Sequence, residues 1–532
     1  MNKTLSVILF SFFVTLLHGK LSLPSIFSDN MVLQRDQSIP VWGWSEVGNT
    51  ITIELQSKKV STVSGADGKW MLKLDPMKAS STPLTMKIED GAESLQLKNI
   101  LIGEVWLCSG QSNMQWTLGA SAKTPKNPKY KEITEIIGQE IESSSDPLLR
   151  QISVPNIGSP LEKQTQFEGA WVECSPQNNS NFTATGYYFA KELREKLGVP
   201  VGLIRCAWGG SRIQPWIPKE TYLKNDDNRR YYEEELRVVT NKQQKWDPQK
   251  LVEFNKLLKA EKNPQKRKQL WRKKPKEPYK DKQIPSTIYN GIIHPIIPYA
   301  IKGVIWYQGE SNAGHMPEQY KHYLGLLVST WRELWKQGDF PFYYAQLANF
   351  REINKEPIDN LGWATVCNQQ RLALEIKNTG MAVLNDIGEA EDIHPRNKID
   401  VGKRLSLWAL AKDYHFKDLV FSGPLYKSSQ FEQNKVRIHF DSVGSGLMTG
   451  KKNLSKPTRA VEEKVGGFQI CGKDRIWKWA QAQITSKDTI TVSHSEITEP
   501  TEVRYAWASN PPAINLYNKE GLPTSIFSCK KE

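Results

Sequence analysis

The chain has 532 residues, too many for one ordinary domain, and its 39% hydrophobic content with 18 Trp, 18 Tyr and 17 Phe is ample for several packed cores. The net charge of +14 is local. Residues 242–282 hold 15 Lys/Arg against 5 Asp/Glu, so +10 of it sits in one stretch, which points to a solvated basic insertion and away from a nucleic-acid surface.

In chain order, Asn2-Lys3 and the apolar run from Leu5 to Leu17 read as a signal peptide, residues 1–19. The run is too short to span a bilayer, and no later run of about 18 apolar residues follows. The expectation is a secreted or periplasmic protein without a membrane span. Residues 20–97 alternate short β patterns with turns: 39–44, 50–55 and 69–74 are strand-like, and Asp67-Gly68 marks a hairpin turn. They predict an N-terminal β-sandwich. From 98 to 417 the order becomes strand, loop, helix. Strands are predicted at 104–108, 201–207, 302–307, 342–347 and 381–384. Helices are predicted at 187–197, ended by Gly198, and at about 398–413. That alternation implies an α/β domain with a mostly parallel sheet, whose ligands bind beyond the carboxyl ends of the strands. An insertion, 222–285, interrupts it: 229–244 and 249–261 look helical, and the lysine-rich stretch with Pro264, Pro275 and Pro278 looks loose. Residues 418–532 return to β grammar, with strands at 435–440, 481–484, 489–492 and 502–507. They predict a C-terminal β-sandwich packed on the α/β layer. No internal repeat is found.

The six Cys are scattered, with no C-x-x-C or H-E-x-x-H spacing, so no metal site and no cofactor are expected. Cys108 and Cys206 fall in central strands, where a buried free thiol is the default. The aromatic content suits carbohydrate handling, although core packing accounts for most of the rings.

Four motifs fall just after predicted strands. Gly110-Gln-Ser112-Asn113 places a serine on a turn, as an acyl-transfer nucleophile requires; a polar helix cap would look the same locally. Trp208-Gly-Gly-Ser211 lets backbone N–H groups approach a ligand, or forms a plain tight turn. Gln308-Gly-Glu-Ser-Asn312 offers a side-chain amide to an oxyanion and a carboxylate to orient neighbours. Glu391-Asp-Ile-His394-Pro395 supplies a histidine flanked by carboxylates for proton transfer. All four lie on one sheet edge.

With these motifs the chain resembles the sialate O-acetylesterase branch of the SGNH hydrolases. The resemblance runs through Asp29-Asn-Met-Val-Leu-Gln-Arg35, Pro40-Val-Trp-Gly-Trp44, Gly103-Glu-Val-Trp106, Gly110-Gln-Ser-Asn-Met114 and Trp208-Gly-Gly210. It continues through Tyr289-Asn-Gly291, Gly303 to Asn312, Asp392-Ile-His-Pro395 with Asn397-Lys398, Tyr505-Ala-Trp507 and Asn515-Leu-Tyr-Asn518. The lysine-rich insertion is not covered. The resemblance implies a flavodoxin-like three-layer α/β/α SGNH hydrolase domain between the two sandwiches. It implies Ser112 as nucleophile, His394 as general base, and oxyanion donors from Ser112 N–H, Gly210 N–H and the Gln308 amide. Many SGNH hydrolases carry Asn where Gln308 stands. The wider superfamily places the triad acid three residues before the histidine, at Glu391. The form of this branch favours Asp392, and a Ser–His dyad is the third option.

The function implied is removal of O-acetyl groups from carbohydrate, with O-acetylated sialate first and acetylated xylan or another plant glycan as the alternative. Arg212 is the candidate for the sialate carboxylate, against a packing role or a pair with Glu310. Glu310 and Asn113 complete the substrate-binding candidates. A reading of another class is an inactive carbohydrate-binding protein; intact Ser112, Gln308 and His394 argue against it. Neither a nucleic-acid partner nor a particular oligomeric state is implied. The basic segment should be a surface excursion, and removing 262–282 should leave hydrolysis within severalfold.

Overall fold

A computed structural model describes residues 20–157, 161–357 and 362–531. The signal-peptide reading of 1–19 lies outside the described residues. Among them, no helix is long and apolar enough to cross a membrane.

The fold is built on Ser94–Gly110, a 17-residue strand with two halves of different character. Its first half alternates exposed and half-buried residues, as a one-sided antiparallel strand does, and pairs with Ser80–Glu89. Its second half is a continuous buried run from Ile100 onward, as a strand covered on both faces requires. That half pairs in parallel with Val201–Ala207 on one side and Gly303–Tyr307 on the other. The sequence suggests a short strand at 104–108. The structure instead carries one strand across the 97/98 boundary, so the N-terminal β region and the α/β sheet share a backbone ladder.

The parallel sheet runs Thr379–Ala382, Phe342–Ala345, Gly303–Tyr307, Ser94–Gly110, Val201–Ala207, Asp146–Ser153, with Val172–Cys174 antiparallel at the edge. Chain order reverses on the two sides of Ser94–Gly110, so its carboxyl end is the topological switch point where doubly wound sheets bind ligands. Helices cover both faces, giving the expected three layers. On one face Trp106 meets Phe189 of Ala184–Leu197 at 4.9 Å, and Tyr343 meets Trp408 of Lys398–Lys412 at 6.2 Å. On the other, Trp306 meets Trp331 of Tyr320–Trp335 at 6.0 Å. Ala184–Leu197 starts where the Thr183 side chain accepts the Gly186 N–H. It stops at Gly198, in the left-handed conformation that predicts such a stop.

The C-terminal region holds separate antiparallel sheets packed on this layer. Gln346 Nε2 donates to Ser525 Oγ at 3.0 Å, and Asn385 Nδ2 donates to Thr524 O at 2.9 Å. In the insertion, helices Asp226–Gln244 and Pro248–Ala260 match the pattern, but the stretch read as loose contains a third, Pro264–Arg272. Asn263 caps it and Pro264 occupies its first turn, a start signal that outweighs the repulsion among its lysines. All six cysteines are buried and free.

Gly110 closes the central strand with φ 134°, and a Cβ there would lie 2.7 Å from the Tyr307 carbonyl carbon. Gly110→Ala should therefore destabilise the chain by about 3 kcal/mol or more, read as a drop in denaturant midpoint. A midpoint equal to the parent's would show that the switch point tolerates a side chain.

Candidate active site

Ser112 is the first residue of a four-residue helix, Ser112–Gln115, directly beyond the central strand. The turn is held from both sides: Gln111 N–H donates to Tyr307 O at 2.9 Å, and Trp208 N–H to Gly110 O at 3.0 Å. The glycine loop lies against it. A Cβ on Gly209 would sit 3.3 Å from Ser112 Cβ, and Gly209 N–H donates to Gln115 Oε1 at 2.7 Å. Gly210 has φ 70°, and its N–H goes to no acceptor among the described residues.

His394 comes from the loop before Lys398–Lys412. Its Nδ1 lies 3.3 Å from Asp392 Oδ1, which also accepts the His394 backbone N–H at 3.0 Å. Its ring stacks on Trp116 at 4.5 Å with a 16° interplanar angle. Trp116 caps the Ser112 helix, donating its N–H to Ser112 O at 2.8 Å, so the histidine ring lies over the serine turn. Burial pushes the Asp392 carboxyl up, but the His394 hydrogen bonds and the Arg396 charge outweigh it and hold it down at about 2. Glu391 is exposed and makes no hydrogen bond or ion pair with His394 among the described residues. The nearby Arg396 is matched by Glu389 at 2.8 Å.

Three expectations need correction. Gln308 is fully buried, and its Nε2 lies 2.9–3.1 Å from Asn312 Oδ1, Gln111 Oε1 and Ser211 O. Two amide hydrogens facing three acceptors leave none for an oxyanion. Asn113 and Glu310 are not substrate contacts either. Asn113 is 1% exposed; it donates to Glu310 Oε1 and to Ile393 O at 3.1 Å, and accepts from Lys398 Nζ at 2.8 Å. Burial raises the Glu310 carboxyl above its ordinary range. Burial also lowers Lys398 to about 7, although Glu389 and Glu310 pull it back up. These groups brace the loops rather than face solvent.

Arg212 is half-buried, donates its backbone N–H to Gln283 Oε1 at 2.9 Å, and makes no ion pair with Glu310 or any other carboxylate among the described residues. The basic segment is also more than an excursion. Its end residue Lys282 donates from Nζ to Gly209 O, so removing 262–282 would take a contact out of the glycine loop. Trp116, Lys398 and Lys282 are the site residues that sequence reasoning missed. A tryptophan near a turn reads as core, Lys398 shows only as part of Asn397-Lys398, and Lys282 hides among many lysines.

Comparison with known proteins identifies the family. The family model described as carbohydrate esterase, sialic acid-specific acetylesterase matches residues 102–253 and 267–410. The sialate O-acetylesterase of Mus musculus is 28% identical over 536 residues, covering 92% of this chain and 89% of that protein. The one of Homo sapiens is 26% identical, covering 92% and 87%. Among solved structures, a carbohydrate acetylesterase from Xanthomonas citri is 32% identical with a TM-score of 0.77, covering 96% of this chain and all of that one.

The geometry separates the two carboxylates. Asp392→Asn should lower kcat on p-nitrophenyl acetate by two to four orders of magnitude, through loss of imidazolium stabilisation and tautomer control. Glu391→Gln should change it by less than about threefold. The reverse ranking would reassign the acid. The depressed Asp392 carboxyl also contributes stability that is present above its ordinary pKa of 3.8 and lost as the pH falls toward 2. The parent should lose more stability than Asp392→Asn across that window in acid denaturation.

Proposed function

The chain belongs to the sialic acid-specific acetylesterase family of carbohydrate esterases, and from that premise we propose that Ser112, His394 and Asp392 remove O-acetyl groups from sugars through an acyl-enzyme. The carboxylic-ester hydrolase class follows from the family itself. In this reading Ser112 Oγ attacks the acetyl carbonyl while His394 takes its proton. The oxyanion is received by the N–H groups of Ser112 and Gly210. His394 returns the proton to the departing sugar oxygen, then activates the water that releases acetate. The observation that carries the reading is the His394 ring, fixed by Asp392 and laid on Trp116 of the serine turn.

Sialate is the proposed sugar. The curated relatives are named sialate O-acetylesterases, and Arg212 is a half-buried cation beside the glycine loop without a carboxylate partner among the described residues. A guanidinium there suits a sugar carboxylate. Export is part of the proposal and rests on the apolar run Leu5–Leu17.

Ser112→Ala should cut turnover of an activated acetyl ester by about four orders of magnitude or more with the fold intact. Parent-like hydrolysis would remove the reading. Acetate release should be seen from O-acetylated sialic acid and exceed that from acetylated xylan. Arg212→Ala should raise KM for the sialate about tenfold and leave KM for a neutral acetyl ester unchanged. Activity on xylan alone would displace sialate and leave the mechanism standing.

A further inference from the structure

We propose that Lys282 and Gln283, where the lysine-rich insertion returns to the fold, are positioning residues that aim the oxyanion loop at Ser112. The proposal rests on Gly210 N–H being an oxyanion donor.

Two adjacent side chains grip two adjacent carbonyls of that loop. Lys282 Nζ donates to Gly209 O, and Gln283 Nε2 donates to Gly210 O at 2.7 Å. Gln283 Oε1 accepts Arg212 N–H at 2.9 Å, so one amide spans the loop from Gly210 to Arg212. Gly209 O and Gly210 N–H belong to the same peptide unit. In a planar trans peptide these groups point in opposite directions. Holding the carbonyl on the insertion side therefore turns the Gly210 N–H away from the insertion. Ser112 lies across the loop, where Gly209 packs against its Cβ. The loop is thus clasped between the serine turn and the end of the insertion.

The grip also acts on charge. The ammonium on Gly209 O polarises that peptide and makes its N–H a stronger donor. Lys282 has no carboxylate within ion-pair distance among the described residues, so its charge is not spent elsewhere. Gly210 itself leaves room for it: a Cβ there would meet Lys282 Nζ at 3.0 Å. The family match skips 254–266 but includes 282 and 283, so the clasp lies in the matched part and the skipped piece is the outer hairpin.

The test uses the full chain with p-nitrophenyl acetate and O-acetylated sialic acid as substrates. Lys282→Met should lower kcat about 10- to 100-fold on both, with KM within about threefold, because a misaimed oxyanion donor costs rate and not binding. Lys282→Arg should restore kcat to within about threefold of the parent. Gln283→Leu should lower kcat in the same pattern, and it serves as the readout if Lys282→Met does not fold. Deleting 254–266 with a short linker should leave kcat unchanged. An unchanged kcat in Lys282→Met, or a loss confined to KM for sialate, would overturn the proposal; the second result would make Lys282 a substrate contact. Ser112→Ala run in parallel separates the two levels. An active Ser112→Ala removes the esterase mechanism, whereas an inactive one beside a parent-like Lys282→Met removes only the clasp.

Discussion

The buried amide of Asn113 is the interaction on which the site depends. One planar group joins the serine turn to Glu310 in the third loop and to Ile393 O and Lys398 in the fourth. Ile393 precedes His394, so the amide that follows Ser112 also fixes the backbone beside the histidine. Gln111, on the other side of Ser112, acts similarly, accepting from Gln308 Nε2 at 3.1 Å and Ser311 N at 3.2 Å. The residues flanking the serine hold the loops, and Ser112 stands between them. An Asn there cannot be traded for a residue with only donors or only acceptors. Both functions are used, and each lost partner would leave a buried polar group unpaired.

This bracing has an electrostatic consequence. Glu310 and Lys398 are both buried and are bridged by Asn113 rather than placed in direct ion-pair contact. Burial moves each toward its neutral form, Glu310 upward and Lys398 down to about 7. Asp392 moves the other way, since the His394 hydrogen bonds and Arg396 keep it ionised. The carboxylate that keeps its charge is the one touching the histidine, which is where the proposed mechanism develops an imidazolium.

The broad architecture was legible because it rests on period and order. Continuous apolar runs alternating with helix patterns specify a parallel sheet, and motifs placed just after those runs must share its carboxyl edge. Ser112 and His394 stand as candidates on that ground, whereas the Gly210 N–H and the choice of Asp392 rest on the family resemblance. Gln308 was misread for a physical reason. Its position at a strand end is right for an oxyanion donor, but which way an amide points depends on partners far away in sequence, here Gln111, Ser211 and Asn312. Asn113 and Glu310 failed likewise, because polar residues in a motif look like substrate contacts until burial is known. Lys282 was invisible because its role lies in the shape of the return path and not in its composition. The third insertion helix starts at Asn263-Pro264, a local cap signal set among lysines and prolines that otherwise suggest loose chain.

The glycine loop shows how rate and selectivity can be carried by one short segment without interfering. Its carbonyls face the insertion, where Lys282 and Gln283 donate to them. Gly209 faces the serine, where a side chain would crowd Ser112, and a side chain on Gly210 would crowd Lys282 instead. Arg212, two residues after Gly210, is tied down through its backbone N–H, and its guanidinium has no carboxylate partner among the described residues. In the proposed reading the two cations act on different objects, Lys282 on the peptide and Arg212 on a ligand. A peptide donor aimed by the first serves any acetyl ester, because each forms the same oxyanion. A guanidinium left open by the second serves only sugars that bring a negative charge. Selectivity can then change at position 212 while the geometry that sets the rate stays fixed by the clasp at 282 and 283.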